Sequence, residues 1–149
     1  MPNKPLADEP TLLIDNQLCF ALYSASLAMS KVYKPHLDGL GLTYPQYVVM
    51  LVLWEQDGLT VSDIGERLFL DSGTLTPLLK RLEVASLITR TRDSADERRV
   101  LITLSPQGRK LKARAARIPG CILDATQCSL PQVRALTRQI KALRTQLKP

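Results

Sequence analysis

Histidine occurs once, at His36, and cysteine three times, at Cys19, Cys121 and Cys128, with no CxxC pair. A zinc site of the usual spacing therefore has no ligand set, and three cysteines cannot all pair within one chain. His36 reads as a surface residue ahead of a helix end at Gly39. No stretch reaches the roughly 18 apolar residues that a membrane span needs. The opening MPNKPLADEP has no signal-peptide core. These absences predict a cytoplasmic protein with reduced thiols, no membrane partner, no metal and no cofactor. There is no internal repeat and no low-complexity tract.

What is present is a local excess of positive charge. The chain has 149 residues and a net charge of +6, which fits one domain, or one domain with an oligomerisation element. Residues 80–117 hold 11 Lys/Arg against 4 Asp/Glu, and the remainder is close to neutral. A patch of this kind suits a polyanion partner. Arg109, Lys110, Lys112, Arg114 and Arg117 could equally form a solvated helix face.

The order of segments is more specific than the charge. TVSDIGERL (60–68) and DSGTLTPLLKRLEVAS (71–86) read as two helices, with Thr60 and Asp71 as N-caps. Leu75, Leu78, Leu79 and Leu82 share one face of the second. Pro77 is awkward: the helix either begins near Thr76 or has irregular first turns. LITRTR (87–92), DSADERR (93–99) and VLITL (100–104) read as strand, charged loop and strand. Helix, short turn, helix and basic ribbon make a mainly α winged helix-turn-helix, a fold that grips duplex DNA. In such a fold the start of the second helix enters the major groove. Ser72, Thr74 and Thr76 there offer hydroxyls, Gly73 allows close backbone approach, and Lys80 and Arg81 suit phosphates. Arg98 and Arg99 sit near the hairpin tip, where an arginine can enter a narrow minor groove, and Asp96 can hold Arg98 in place.

Two further regions flank this block. Residues 1–11 form a proline-rich arm. With Asp15 as N-cap, a first helix carries the seam Leu18, Leu22, Ala25, Met29 and Val32, ended by Pro35 and Gly39–Gly41. Thr43 and Gln46 form a capping box ahead of an apolar helix over YVVMLVLW (47–54). Ser105 caps a basic helix to about Arg117, and Pro119–Gly120 interrupts it. Ser129 and Gln132 start a last helix with Val133, Leu136, Ile140, Leu143 and Leu147 on one stripe. The expected organisation is a single domain over 12–147. Its DNA-binding lobe spans about 44–104, and its dimerisation helices cover about 12–38 and 105–147. A two-fold dimer would bury the terminal stripes and set two recognition helices about 34 Å apart, matching a pseudo-palindromic operator.

On this reading Cys19 falls at N4 of the first helix, near its positive end, which favours the reactive thiolate. A small core residue is the plainer role for such a cysteine. Tyr23, Ser26, Ser30 and Tyr33 follow on the neighbouring stripe. Tyr33 is too far along the helix to reach Cys19 except from another subunit. Cys121 lies in a mobile break between helices and Cys128 stands just before the last helix, so Cys121 is the first choice of disulfide partner and Cys128 the second.

DNQLCFALYSAS (15–26), LGLTYPQYVVMLVLWE (40–55), LDSGTLTPLLKRLE (70–83) and TRTRDSADERRVLITL (89–104) together resemble the MarR family. They look most like its organic-hydroperoxide-sensing repressors, the OhrR group. The likeness spans about residues 12–147. It implies a homodimer that represses an organic hydroperoxide resistance gene. By resemblance Cys19 is oxidised by organic hydroperoxide to a sulfenic acid. It then forms a disulfide with a cysteine of the other subunit, Cys121 or alternatively Cys128, and DNA is released. Tyr33 and Tyr44 match the tyrosines that support the thiolate across the dimer. Asp96 and Arg98 match the wing D-x-R motif, and DSGTLTP matches the recognition-helix contacts, with Pro77 inside that helix. The alternatives are a MarR-type regulator released by a small phenolic ligand and a thiol peroxidase using Cys19.

Overall fold

A computed structural model describes residues 10–148. Most of the expected N-terminal arm lies outside the described residues. The chain runs α1 (Leu18–Asp38), α2 (Tyr44–Glu55), β1 (Leu59–Thr60), α3 (Val61–Leu68), α4 (Ser72–Val84), β2 (Ile88–Arg92), β3 (Val100–Leu104), α5 (Pro106–Ala115), α6 (Ile118–Thr126) and α7 (Leu130–Gln146). It is a mainly helical winged helix.

Short-range chemistry sets most of the boundaries. Thr43 and Gln46 form a reciprocal capping box on α2, with Pro45 in its first turn. α2 is apolar around most of its circumference and buries Tyr47, Val49, Met50, Val52 and Leu53, as a central helix must. Thr60 and Asp63 make a second box on α3, and the Asp71 carboxylate accepts from the Thr74 N–H to start α4. Leu75, Leu78, Leu79 and Leu82 of α4 all enter the core.

α4 is continuous from Ser72 through Pro77. A proline there leaves the Gly73 carbonyl without its i+4 donor. Gly73 and Pro77 are both exposed, so water can take that place and the break costs little.

The sheet has three strands rather than the two expected, ordered β1-β3-β2 and antiparallel throughout. Leu59 lies opposite Ile102, and Ile88 opposite Leu104. β1 was illegible because it is two residues long and one of them, Thr60, also caps α3. Asp57 pins this edge: its Oδ1 accepts from the backbone N–H of both Gly58 and Leu104.

α5 is seated by a close backbone approach. The Ser105 hydroxyl caps Gly108 and donates to the Ser86 carbonyl. The Trp54 indole donates to the Gly108 carbonyl at 2.9 Å. A Cβ at Gly108 would drive into the Leu87 carbonyl oxygen, which already accepts from Ser105 N–H. Gly108→Ala is therefore expected to destabilise the fold by about 3 kcal/mol, an overpacking against rigid backbone rather than a flexible side chain. Urea unfolding at fixed protein concentration checks it. An unchanged midpoint would mean that the β2 edge can withdraw.

Three expectations about the helices need correction. Asp15 does not cap α1. Residues Ile14–Asn16 form a 3-10 turn and Gln17 is the N-cap, held by its side-chain amide donating to the Thr11 and Leu13 carbonyls. Pro35 does not end α1, which continues through it to Asp38. Pro119 and Gly120 do not separate helices either. They occupy the first turn of α6, where proline lacks only an N–H that would be unpaired anyway.

Burial is uneven. In α1, 21 residues long, only Leu37 is buried, and in α7, 17 residues long, none is. Leu18, Phe20, Leu27, Met29 and Val32 of α1, Leu130, Leu136 and Ile140 of α7, and Leu147 at its C-cap stand exposed. Among the described residues no helix is long and apolar enough to cross a membrane.

Candidate DNA interface and thiol site

The core face of α4 fixes what its other face presents. Ser72, Gly73, Thr74, Lys80 and Arg81 are exposed. Thr76 is half-buried and its hydroxyl donates to the Ser72 carbonyl at 2.7 Å, leaving it acceptor capacity only. At Gly73 the nearest atom to a would-be Cβ is Asp71 Oδ1 at 3.3 Å, so the outward side of the backbone is open.

Both capping carboxyls are held below the usual carboxylate range. Asp63 is held mainly by its hydrogen bonds with Thr60, and Asp71 by those from Thr74. A carboxyl depressed in the fold adds stability above its unfolded value, about pH 4. That stability is lost as pH falls through the lower folded value. Acid should therefore loosen α3 and α4 below about pH 4. In D71N, which keeps a capping oxygen without a titrating group, the acid loss of helical circular dichroism is expected to shift to lower pH. An identical acid profile would mean that the α4 cap takes no part in it.

The wing tip is tightly bonded. Asp93 N–H donates to the Arg99 carbonyl, Arg99 N–H to the Asp96 carbonyl, and the Arg92 guanidinium to the Glu97 carbonyl. Asp96 Oδ1 accepts from Arg98 twice, from its backbone N–H at 3.1 Å and its Nε at 3.3 Å. The Arg98 side chain is 93% exposed. A pair that open adds little stability, and its consequence is orientation: the guanidinium is aimed away from the protein. Arg99 Nε lies 3.9 Å from Asp93. Arg98→Ala is expected to weaken DNA binding about fivefold for each wing on the duplex, the loss of a charge contact worth about 1 kcal/mol. A titration at about 0.15 M salt checks this, and unaltered affinity would remove the wing from the interface.

The basic helix is less free than its composition suggests. Arg109 pairs with Asp57 at 3.4 Å, Lys112 donates to the Trp54 carbonyl, and Arg114 donates to the Gly39 carbonyl at 2.6 Å. Three of the five cations thus hold α5 to its neighbours.

Cys19 is the second residue of α1, two positions nearer the helix start than expected, and is exposed. It sits where the helix's first N–H groups have no intrahelical acceptor. Tyr33, on the same helix, lies about 21 Å away along the axis. The structure does gather Tyr33 with Tyr44, their rings 5.0 Å apart, and adds Tyr47 at 5.9 and 6.2 Å. Burial, then Tyr44 and Tyr47, push the Tyr33 hydroxyl up to about 12, so at neutral pH it is a hydrogen-bond donor. Tyr44 is exposed, Tyr33 half-buried and Tyr47 buried. In the sequence Tyr47 reads as part of the apolar helix over 47–54. The signal for its place in the cluster was the spacing in YPQY, which puts Tyr44 and Tyr47 on one face of α2. Ser30 spends its hydroxyl on the Ser26 carbonyl.

Cys121 is not in a mobile connection. It lies one turn into α6, half-buried, and α6 packs against α1. Pro119, in the same turn, lines one cavity with Tyr47 and Trp54. Cys128 is exposed at the α6–α7 junction, its Sγ 3.4 Å from the Thr126 carbonyl. All three thiols are free.

Core, wing and α4 together define a winged helix-turn-helix regulator. The family profile described as transcriptional regulator SarA/Rot matches residues 31–115. The organic hydroperoxide resistance transcriptional regulator of Bacillus subtilis is 52% identical over 130 residues, 87% of this chain and 88% of the relative. The solved structure of reduced AbfR bound to DNA, a protein of Staphylococcus epidermidis, is 32% identical with a TM-score of 0.76, covering 91% of this chain and 94% of that one. Disulfide-formed AbfR is 36% identical with a TM-score of 0.65, covering 90% and 91%. This chain belongs to the MarR family of DNA-binding transcriptional regulators, within its organic-hydroperoxide-sensing OhrR group.

Proposed function

We propose that the protein is a homodimeric repressor that senses organic hydroperoxides through Cys19 and then releases a pseudo-palindromic operator. One observation carries this reading: Cys19 and the Tyr33–Tyr44–Tyr47 cluster occupy opposite ends of a long helix whose apolar face is uncovered. A second copy with its α1 antiparallel covers the apolar stripes of α1 and α7. It also brings Cys19 to the tyrosines of its partner. The domain then divides as the sequence suggests, into a lobe over about 44–104 and dimerisation helices over about 12–38 and 105–147.

The chemistry follows from the groups so assembled. Tyrosine hydroxyls donate to the Cys19 thiolate and hold it for attack. Sγ attacks the terminal peroxide oxygen; the S–O bond forms, the O–O bond breaks, and the alcohol departs with a proton. The sulfur is oxidised to a sulfenic acid and the peroxide reduced. The thiolate of Cys121 of the partner subunit then attacks that sulfur, and hydroxide leaves as water. Cys121 is favoured over Cys128 because its helix packs on α1 and its turn borders the cavity that Tyr47 lines. The B. subtilis relative is named for hydroperoxide resistance, and AbfR has been solved with a disulfide formed.

Ser72, Gly73, Thr74, Thr76, Lys80 and Arg81 of α4 take the major groove in this reading, and Asp96, Arg98 and Arg99 set the wing. Titrating DNA from upstream of the protein's own gene, before and after cumene hydroperoxide, tests the whole. Loss of binding that dithiothreitol restores is expected. Binding unmoved by peroxide would transfer sensing to a small ligand, and sustained turnover of peroxide with a thiol reductant would make the protein a peroxidase.

A further inference from the structure

Phe69 closes α3 in the left-handed conformation, φ 57° and ψ 37°. Glycine or asparagine sits there without strain, and a bulky residue does not. Phe69 is 57% exposed, so it contributes little to the core either. What it does touch is the last helix: the Arg144 guanidinium lies over the ring, 3.9 Å from its centroid. Leu22 of α1, Ile140 and Leu143 of α7, and Leu147 just after it line the cavity beside the pair. One residue of the turn between α3 and α4 thereby meets α7, in a cavity that α1 also borders.

We propose that the Phe69–Arg144 stack is the strut through which a change in α6 and α7 reaches the recognition helix. This rests on the redox reading above. Cys121 is in α6, and only residues 127–129 separate α6 from α7, so a disulfide that displaces α6 also displaces α7. Arg144, in the last turn of α7, then pulls on Phe69, three residues before the start of α4. Along the chain, the alternative route from α6 to α4 runs back through α5 and the whole wing. Phe69 is a positioning residue in this scheme, and its strained backbone is retained because only an aromatic ring supplies the face for the guanidinium.

The test uses the full-length protein with F69N, which suits the left-handed position and removes the ring, together with R144Q, the double variant and F69Y. For each, disulfide formation after cumene hydroperoxide is followed on a nonreducing gel, and operator affinity is measured reduced and oxidised. An exposed guanidinium–ring stack is worth a factor of about 2–5, and a dimer has two. F69N and R144Q are expected to form the disulfide normally and bind DNA normally when reduced. Their loss of affinity on oxidation should be about 4- to 25-fold smaller than that of the wild type. The double variant should lose no more response than either single one, and F69Y should respond as wild type does. Disulfide formation with a full loss of affinity in F69N, or additive effects in the double variant, would overturn the strut. Absence of any disulfide in the wild type would instead overturn the redox reading, and the strut with it.

Discussion

Cys19→Ser is expected to bind the operator as tightly as wild type and to keep it bound in excess cumene hydroperoxide. Under the same treatment the wild type should lose on the order of a hundredfold in affinity, roughly what takes an operator from mostly occupied to mostly free. Two features separate these expectations. Cys19 is exposed in the first turn of α1 and contributes nothing to the core, so a hydroxyl in place of the thiol leaves fold and interface intact. A serine hydroxyl does not attack peroxide at neutral pH, so the response is lost completely rather than weakened. Competition with unlabelled operator gives both numbers. Retained release by the variant would remove Cys19 as the sensor, whatever its surroundings.

The second large effect concerns the partner thiol. Cys121→Ser should abolish the covalent dimer seen on a nonreducing gel after peroxide, whereas Cys128→Ser should leave it at wild-type intensity. Cys121 is half-buried on a helix packed against α1, in a turn that shares a cavity with Tyr47. Cys128 points from an exposed junction, with Sγ already beside the Thr126 carbonyl. A half-buried thiol changes little in volume on becoming serine, so the fold survives and the gel reads chemistry. In Cys121→Ser the sulfenic acid is left without its resolving partner and proceeds to irreversible oxidation at excess peroxide. DNA binding lost in that variant should then fail to return with dithiothreitol. A covalent dimer undiminished in Cys121→Ser and absent in Cys128→Ser would assign the role to Cys128.

The winged block was legible because its signals are local. Caps at Thr43, Thr60, Asp71, Ser105 and Ser129 each act within three residues, and the leucines of α4 repeat at helical spacing. Where sequence reading slipped, a residue had two uses or a distant partner. Asp15 looks like a cap until Gln17 outcompetes it by binding two carbonyls upstream. Pro119–Gly120 reads as a break, yet in a first turn proline is no obstacle. Arg109, Lys112 and Arg114 read as free charge, but their acceptors lie more than fifty residues away in sequence. Tyr33 and Tyr44 could be paired only through resemblance, because nothing local says that the end of α1 meets the start of α2. The Phe69–Arg144 contact left no trace in the sequence, since it joins a turn to a helix at the far end of the chain.

The central claim is that Cys19 reacts across the dimer, and a mixed dimer tests it most directly. Differently tagged Cys19→Ser and Cys121→Ser protomers, co-expressed and isolated as the heterodimer, hold one Cys19 and one Cys121 on opposite chains. Peroxide should link them covalently, with operator release that dithiothreitol reverses, whereas neither parent homodimer forms the covalent link. A mixed dimer that stays unlinked and DNA-bound would contradict the account.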